Sequence, residues 1–90
     1  MRAFTRDRRG IVRAPCSGAV ELAFEDPIPE TTQAELVELS AGGFRALHSS
    51  ENITPGLEVR YKRVGLSGRA RVIWTHVLEG KRVSGFLILS

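Results

Sequence analysis

Leu57-Glu58-Val59-Arg60-Tyr61-Lys62 alternates an apolar with a charged residue at every step. Side chains along a strand point to opposite faces in turn, so this pattern predicts a strand with one face on a core and the other in water. Pro55-Gly56 before it supplies turn chemistry. Downstream, Ala70, Val72 and Trp74 alternate with Arg71, Ile73 and Thr75, which predicts a second long strand with Trp74 on its core side. Leu78-Glu79-Gly80-Lys81 reads as a hairpin turn and Val83 to Leu89 as the closing strand. Upstream, Val20, Leu22 and Phe24 alternate with Glu21 and Ala23. Glu25-Asp26-Pro27-Ile28-Pro29 ends that strand, because proline has no N–H to give to a ladder. Short strands spaced by turn residues predict an all-β barrel or sandwich.

Two segments resist this reading. Thr32 to Leu39 contains good helix formers, a Thr32/Glu35 capping box and a helix stop at Gly42, so in isolation it reads as two helical turns. A helix that short is marginal without a face to bury, and a barrel needs the segment for pairing; the expectation is a strand. Phe86-Leu87-Ile88-Leu89 is apolar on both faces, unlike a strand with one wet face. Either a neighbouring chain covers its outer face or it is buried on both sides. The expectation is self-association of two copies, a homodimer, through this strand as an edge.

The chain has 90 residues, room for one domain that buries about 65% of its unfolded surface. Cys16 is the only cysteine, so no internal disulfide can form, which fits a reducing compartment. No run approaches the roughly twenty apolar residues of a spanning helix. Met1 to Arg13 has no apolar core of a secretory signal, and Gly10-Ile11-Val12 is too short to follow Arg8-Arg9 in a twin-arginine signal. The expected location is the cytoplasm, with no membrane insertion. Of the net charge of +3, residues 2–13 carry +4 through Arg2, Arg6, Arg8, Arg9 and Arg13 against Asp7, and the remainder carries −1. All the cations of this arm are arginines, whose planar fork suits phosphate or the O6/N7 edge of guanine. Charge alone fits a solvated tail as well as a binding arm. The expected organisation is a flexible arm over residues 1–13 and a barrel over residues 14–90.

Two short patterns stand out: R-x-x-x-R at Arg9 and Arg13, and Glu38-Leu39-Ser40-Ala41-Gly42-Gly43 some twenty-five residues later. In this order they resemble the PilZ family, whose motifs are R-x-x-x-R before the barrel and D/N-x-S-x-x-G beyond it. Gly56-Leu57-Glu58-Val59 is similar to that family's strand opening, and Arg71-Val72-Ile73-Trp74 with Gly85-Phe86 to its closing hairpin. The resemblance runs from about Arg8 to Leu89. It implies a six-stranded antiparallel PilZ-type β-barrel and a non-enzymatic receptor for cyclic di-GMP, captured by the arm against the barrel.

The implied ligand residues are Arg8, Arg9, Arg13, Glu38, Ser40 and Gly43. Arg9 and Arg13 offer forked donors to phosphate and guanine, and Arg8, in the position associated with capture of a stacked ligand pair, adds a cation. Ser40 brings a compact hydroxyl, and Gly43, without Cβ, lets a base or backbone approach and can adopt positive φ. Glu38 stands where the family has Asp or Asn; it keeps the acceptor for guanine N1–H and N2–H but moves it about an ångström outward. The resemblance implies no cofactor beyond the ligand, and an unidentified downstream protein partner.

Other functions have thinner support. The chain carries no nucleophile elbow, P-loop or paired catalytic carboxylates, so the expectation is not an enzyme. His48, His76 and Cys16 lack metal-ligand spacing, and no metal is expected. Tyr61 reads as core with its hydroxyl at the rim. An alternative is a PilZ-like adaptor that binds protein but no ligand, motivated by Glu38 and the two-faced final strand. A third is a barrel that binds nucleic acid through its basic arm. It ranks last because the aromatics fall mostly on core registers.

Overall fold

The computed structural model describes residues 14–15 and 18–90, and they contain strands and no helix. The strands are β1 (Ala14–Pro15), β2 (Ala19–Phe24), β3 (Glu30–Leu39), β4 (Gly43–His48), β5 (Glu58–Arg63), β6 (Leu66–Leu78) and β7 (Lys81–Ile88). All pairings are antiparallel. The sheet runs β3-β2-β5-β6-β7-β4 and closes where β4 pairs back onto β3, giving a six-stranded barrel. The two-residue β1 adds to the far end of β3, with Ala14 opposite Leu39 and Pro15 opposite Glu38.

Alternation fills the barrel. Val20, Leu22 and Phe24 of β2 and Val59 and Tyr61 of β5 are buried, as their period of two requires. Phe44 stacks on Phe86 with centroids 4.7 Å apart and meets Tyr61 edge-on at 5.4 Å, so three strands share one aromatic centre. Thr32 to Leu39 forms part of β3. Its helix-forming residues give way because Ala34 and Leu36 bury against the core at strand spacing, and a helix would leave one edge of β2 and one edge of β4 unpaired. Leu78 and Lys81 close a two-residue hairpin in which Glu79 has φ 51° and Gly80 φ 81°, the left-handed pair that a twisted hairpin needs.

Two expectations are corrected. The closing strand is no edge: β7 pairs with β4 on one side and β6 on the other, so its backbone is not open to a second copy. Phe86 faces the core and Leu87 the exterior, where it is 46% exposed. Trp74, expected in the core, lies on the outer face. Two residues of β6, Ile73 and Trp74, oppose the single residue Gly85. This bulge shifts the alternation by one, so that Val72 and Thr75 point inward and Ile73 and Trp74 outward.

Thr75 belongs to a polar chain within the barrel wall. The Ser50 N–H donates to Nδ1 of His48 at 3.1 Å, which requires Nδ1 to be unprotonated and puts the ring proton on Nε2. Nε2–H therefore donates to Ser84 Oγ at 2.7 Å, Ser84 in turn to Thr75 Oγ1 at 2.6 Å, and Thr75 to the Ile53 carbonyl at 3.2 Å. These bonds tie the loop between β4 and β5 to the β6–β7 pair. Asn52 adds a second tie, its Nδ2 donating to Glu30 Oε1 at 2.8 Å.

Burial pushes the His48 imidazole below its ordinary pKa, the nearby Arg82 charge adds to this, and Glu30 opposes it. The unfolded chain takes up that proton near pH ~6.5, whereas the folded chain resists until lower pH, so the folded state binds fewer protons in the interval. Stability therefore falls as pH drops below about 6.5 and levels once the folded imidazole also titrates. The Glu30 carboxyl, held low by Asn52 and Ser50, loses its contribution in turn at more acid pH. In urea titrations the unfolding midpoint should drop between about pH 8 and pH 5. His48→Leu should be less stable at the upper pH by about 1–3 kcal/mol, the cost of orphaning Ser84 and the Ser50 N–H, and flatter with pH.

Candidate functional site

The turn between β3 and β4 is built by Ser40. Its N–H donates to the Gly43 carbonyl at 2.9 Å and its Oγ to the same oxygen at 3.3 Å, while the Ile88 N–H reaches the Gly42 carbonyl at 2.8 Å. The turn is thereby locked to both neighbouring strands. Gly43 has a reason for lacking Cβ beyond ligand approach: a methyl group there would overlap the Phe86 carbonyl oxygen on β7. It does not take positive φ; among the described residues the positive-φ glycines are Gly18, Gly56, Gly65 and Gly80.

Beyond the turn, a second bulge puts Val37 and Glu38 of β3 opposite the single residue Arg45 of β4. Both bulges aim their extra residue outward, and together they align one row across four strands: Glu38, Arg45, Gly85 and Trp74. Arg45 Nε lies 2.6 Å from Glu38 Oε1, and its guanidinium carbon lies 5.6 Å from the centre of the Trp74 ring. The indole rests against Gly85, where any Cβ would collide with it, and against the His76 ring at 4.8 Å. A second row sets Glu58, Arg71, Leu87 and Gly43 side by side. Arg71 approaches Glu58 at 3.7 Å, and Arg69 holds the same carboxylate at 2.7 Å.

These rows border an open exterior groove of about 390 Å³, within the usual range for small-molecule sites. Ser40, Gly42 and Gly43 form one end, Glu38 and Arg45 a charged wall, and Ile73, Trp74 and Leu87 an apolar and aromatic one. The groove sets a guanidinium over an indole, so a flat ring entering it meets charge-assisted donors and an aromatic surface together.

Of the sequence-derived residues, Glu38, Ser40 and Gly43 come together here. Arg8, Arg9 and Arg13 lie outside the described residues. Ala14 and Pro15, which follow them in the sequence, pair with Leu39 and Glu38 beside this groove. Trp74 and Arg45 were not singled out as site residues by sequence reasoning. The signals for Trp74 were the adjacent apolar pair Ile73-Trp74, which breaks strict alternation, and a strand glycine across from it at Gly85.

No family model and no curated protein matches the chain. Among solved structures it is similar to the crystal structure of YcgR in complex with c-di-GMP from Escherichia coli. The TM-score is 0.70 over 92% of this chain, at 20% sequence identity. The fold is PilZ-like. The chain spans 38% of the length of that YcgR chain, so the likeness concerns one unit of a longer protein. In this PilZ-like barrel the second motif stands on the β3–β4 turn, and its glycine is required by the Phe86 carbonyl.

Two substitutions separate scaffold from site. Gly43→Ala should destabilise by about 3 kcal/mol, the upper end for forced overpacking, because the obstacle is backbone that cannot rotate away. Gly85→Ala should cost less, because the obstacle is the partly exposed Trp74 ring. It should also change the emission of Trp74, the only tryptophan, in the folded protein. Urea unfolding followed by circular dichroism and fluorescence checks both.

Proposed function

We propose that the groove binds cyclic di-GMP and that the protein is a non-enzymatic receptor for it. The observation that carries this reading is the exterior groove in which Glu38, Ser40 and Gly43 meet an aromatic side chain and a cation, beside the pairing of Pro15 with Glu38. The similar YcgR structure, itself in complex with c-di-GMP, supports it at the level of fold.

The chemistry follows from the residue types. The ligand has two phosphates and two guanines. Arg9 and Arg13 supply forked donors to phosphate oxygens and guanine edges, with Arg8 as a further cation. Trp74 offers a face for a base to stack on, a contact of about 1–3 kcal/mol per base in single-strand binders. Ser40 and the turn backbone meet the sugar-phosphate ring, and Glu38 contributes its carboxylate. The ligand phosphates neutralise the like charges of the arm and change the surface shown to a protein partner.

A second reading, an adaptor that binds protein without ligand, is favoured by one observation: the Glu38 carboxylate is already engaged by Arg45. Titration calorimetry of the 90-residue chain with cyclic di-GMP separates the two. Saturable binding is expected, with Arg9→Ala and Arg13→Ala each weakening it about tenfold or more, as loss of a bidentate contact does. No heat at ligand concentrations of tens of micromolar would leave the adaptor.

A further inference from the structure

We infer that Arg45 reads the guanine base and that Glu38 is a positioning residue that holds its guanidinium; the inference rests on the groove binding cyclic di-GMP. Glu38 is the residue the motif nominates for guanine, but its carboxylate lies 2.6 Å from Arg45 Nε. A base using Glu38 as its acceptor must first take the place of that guanidinium. The charge-assisted bond opposes the exchange, since both side chains are partly shielded, at 25% exposure for Glu38 and 42% for Arg45.

Arg45 is well set to replace Glu38 in this role. It stands in the same cross-strand row as Trp74, separated only by Gly85. Adjacent strands lie about 4.8 Å apart, so the two side chains rise from backbones about 10 Å apart with bare glycine between them. A purine that reaches the indole must meet the guanidinium, because Arg45 Cζ lies over the ring, 5.6 Å from its centre. Among the described residues no second carboxylate pairs with Arg45.

Base selectivity follows from donor chemistry. The guanidinium carries donors only, so it needs acceptors on the base. Guanine presents two side by side, O6 and N7, whereas adenine presents N7 beside the N6 amino donor, which meets the guanidinium donor to donor. A lysine in this position keeps the charge and loses the fork.

The test uses the whole chain, titrated with cyclic di-GMP, with its 7-deaza analogue lacking the N7 acceptor, and with cyclic di-AMP. Binding is followed by calorimetry and by Trp74 emission. The wild type should prefer cyclic di-GMP over the 7-deaza analogue by about tenfold and over cyclic di-AMP by more, in line with loss of half or all of a bidentate contact. Arg45→Lys should fold normally and shrink the preference for the guanine ligand over its 7-deaza analogue severalfold, leaving only what the arm arginines contribute at the other base. Glu38→Gln should shrink the N7 preference, because an unheld guanidinium is less well aimed. If Arg45→Lys keeps the wild-type preference for N7, Arg45 does not read the base, although the groove remains a cyclic di-GMP site. If Glu38→Gln weakens both guanine ligands equally, the carboxylate contacts the base directly and the inference falls. If the wild type binds none of the three ligands, the functional reading itself fails, and this assignment with it.

Discussion

Pairing of β3 with β4 is the constraint on which the barrel and its groove depend. It turns an open sheet into a closed one, so every apolar stripe faces a common interior and no central strand offers a free backbone edge. Closure on six strands leaves little interior space, and Phe44, Tyr61 and Phe86 fill it as a single aromatic contact. The same pairing carries the bulge at Val37 and Glu38, and the β6–β7 pairing carries its counterpart at Ile73 and Trp74. Each bulge sends two successive side chains outward. Without them, strict alternation would send Glu38 and Trp74 inward with Leu36 and Val72, and the exterior row Glu38–Arg45–Gly85–Trp74 would not exist.

That row is supported from inside. Directly behind the Trp74–Gly85 pair, Thr75 and Ser84 exchange a hydrogen bond that continues to His48 and to the loop before β5. A buried polar chain of fixed direction tolerates few arrangements, because each donor has one place to go and an orphaned group is costly. It holds the inner side of the wall in register while the outer side presents the groove. Glycine does complementary work outside. At Gly43 the missing Cβ makes room for the Phe86 carbonyl, and at Gly85 for the indole.

Much of the fold could be read along the chain. The alternation of Val20, Leu22 and Phe24, and of Val59 and Tyr61, matches the buried residues, Leu57 packs half-buried against them, and Glu79-Gly80 forms the expected turn. The strand assignment of Thr32 to Leu39 held against local helix propensity because barrel closure outweighs it. The resemblance to PilZ domains agreed with the observed fold, and three of its site residues border one groove. Trp74 and the final strand were misread for one reason. A period-two pattern says which side chains share a face only while the register is unbroken, and pairing on both sides of a strand leaves no mark in its own composition.

The sequence by itself therefore determined the all-β class, the turn positions, the charge of the arm and the residues of the second motif. All of these depend on local chemistry: alternation, proline and glycine geometry, and ionisation. Tertiary structure decided which faces those residues occupy. The outward turn of Trp74 and the pairing of Glu38 with Arg45 each depend on a single inserted residue, and the covering of the second β7 edge depends on β4, thirty or more residues away. Such a shift of one position reverses the face of everything beyond it, and no pattern within one strand records it.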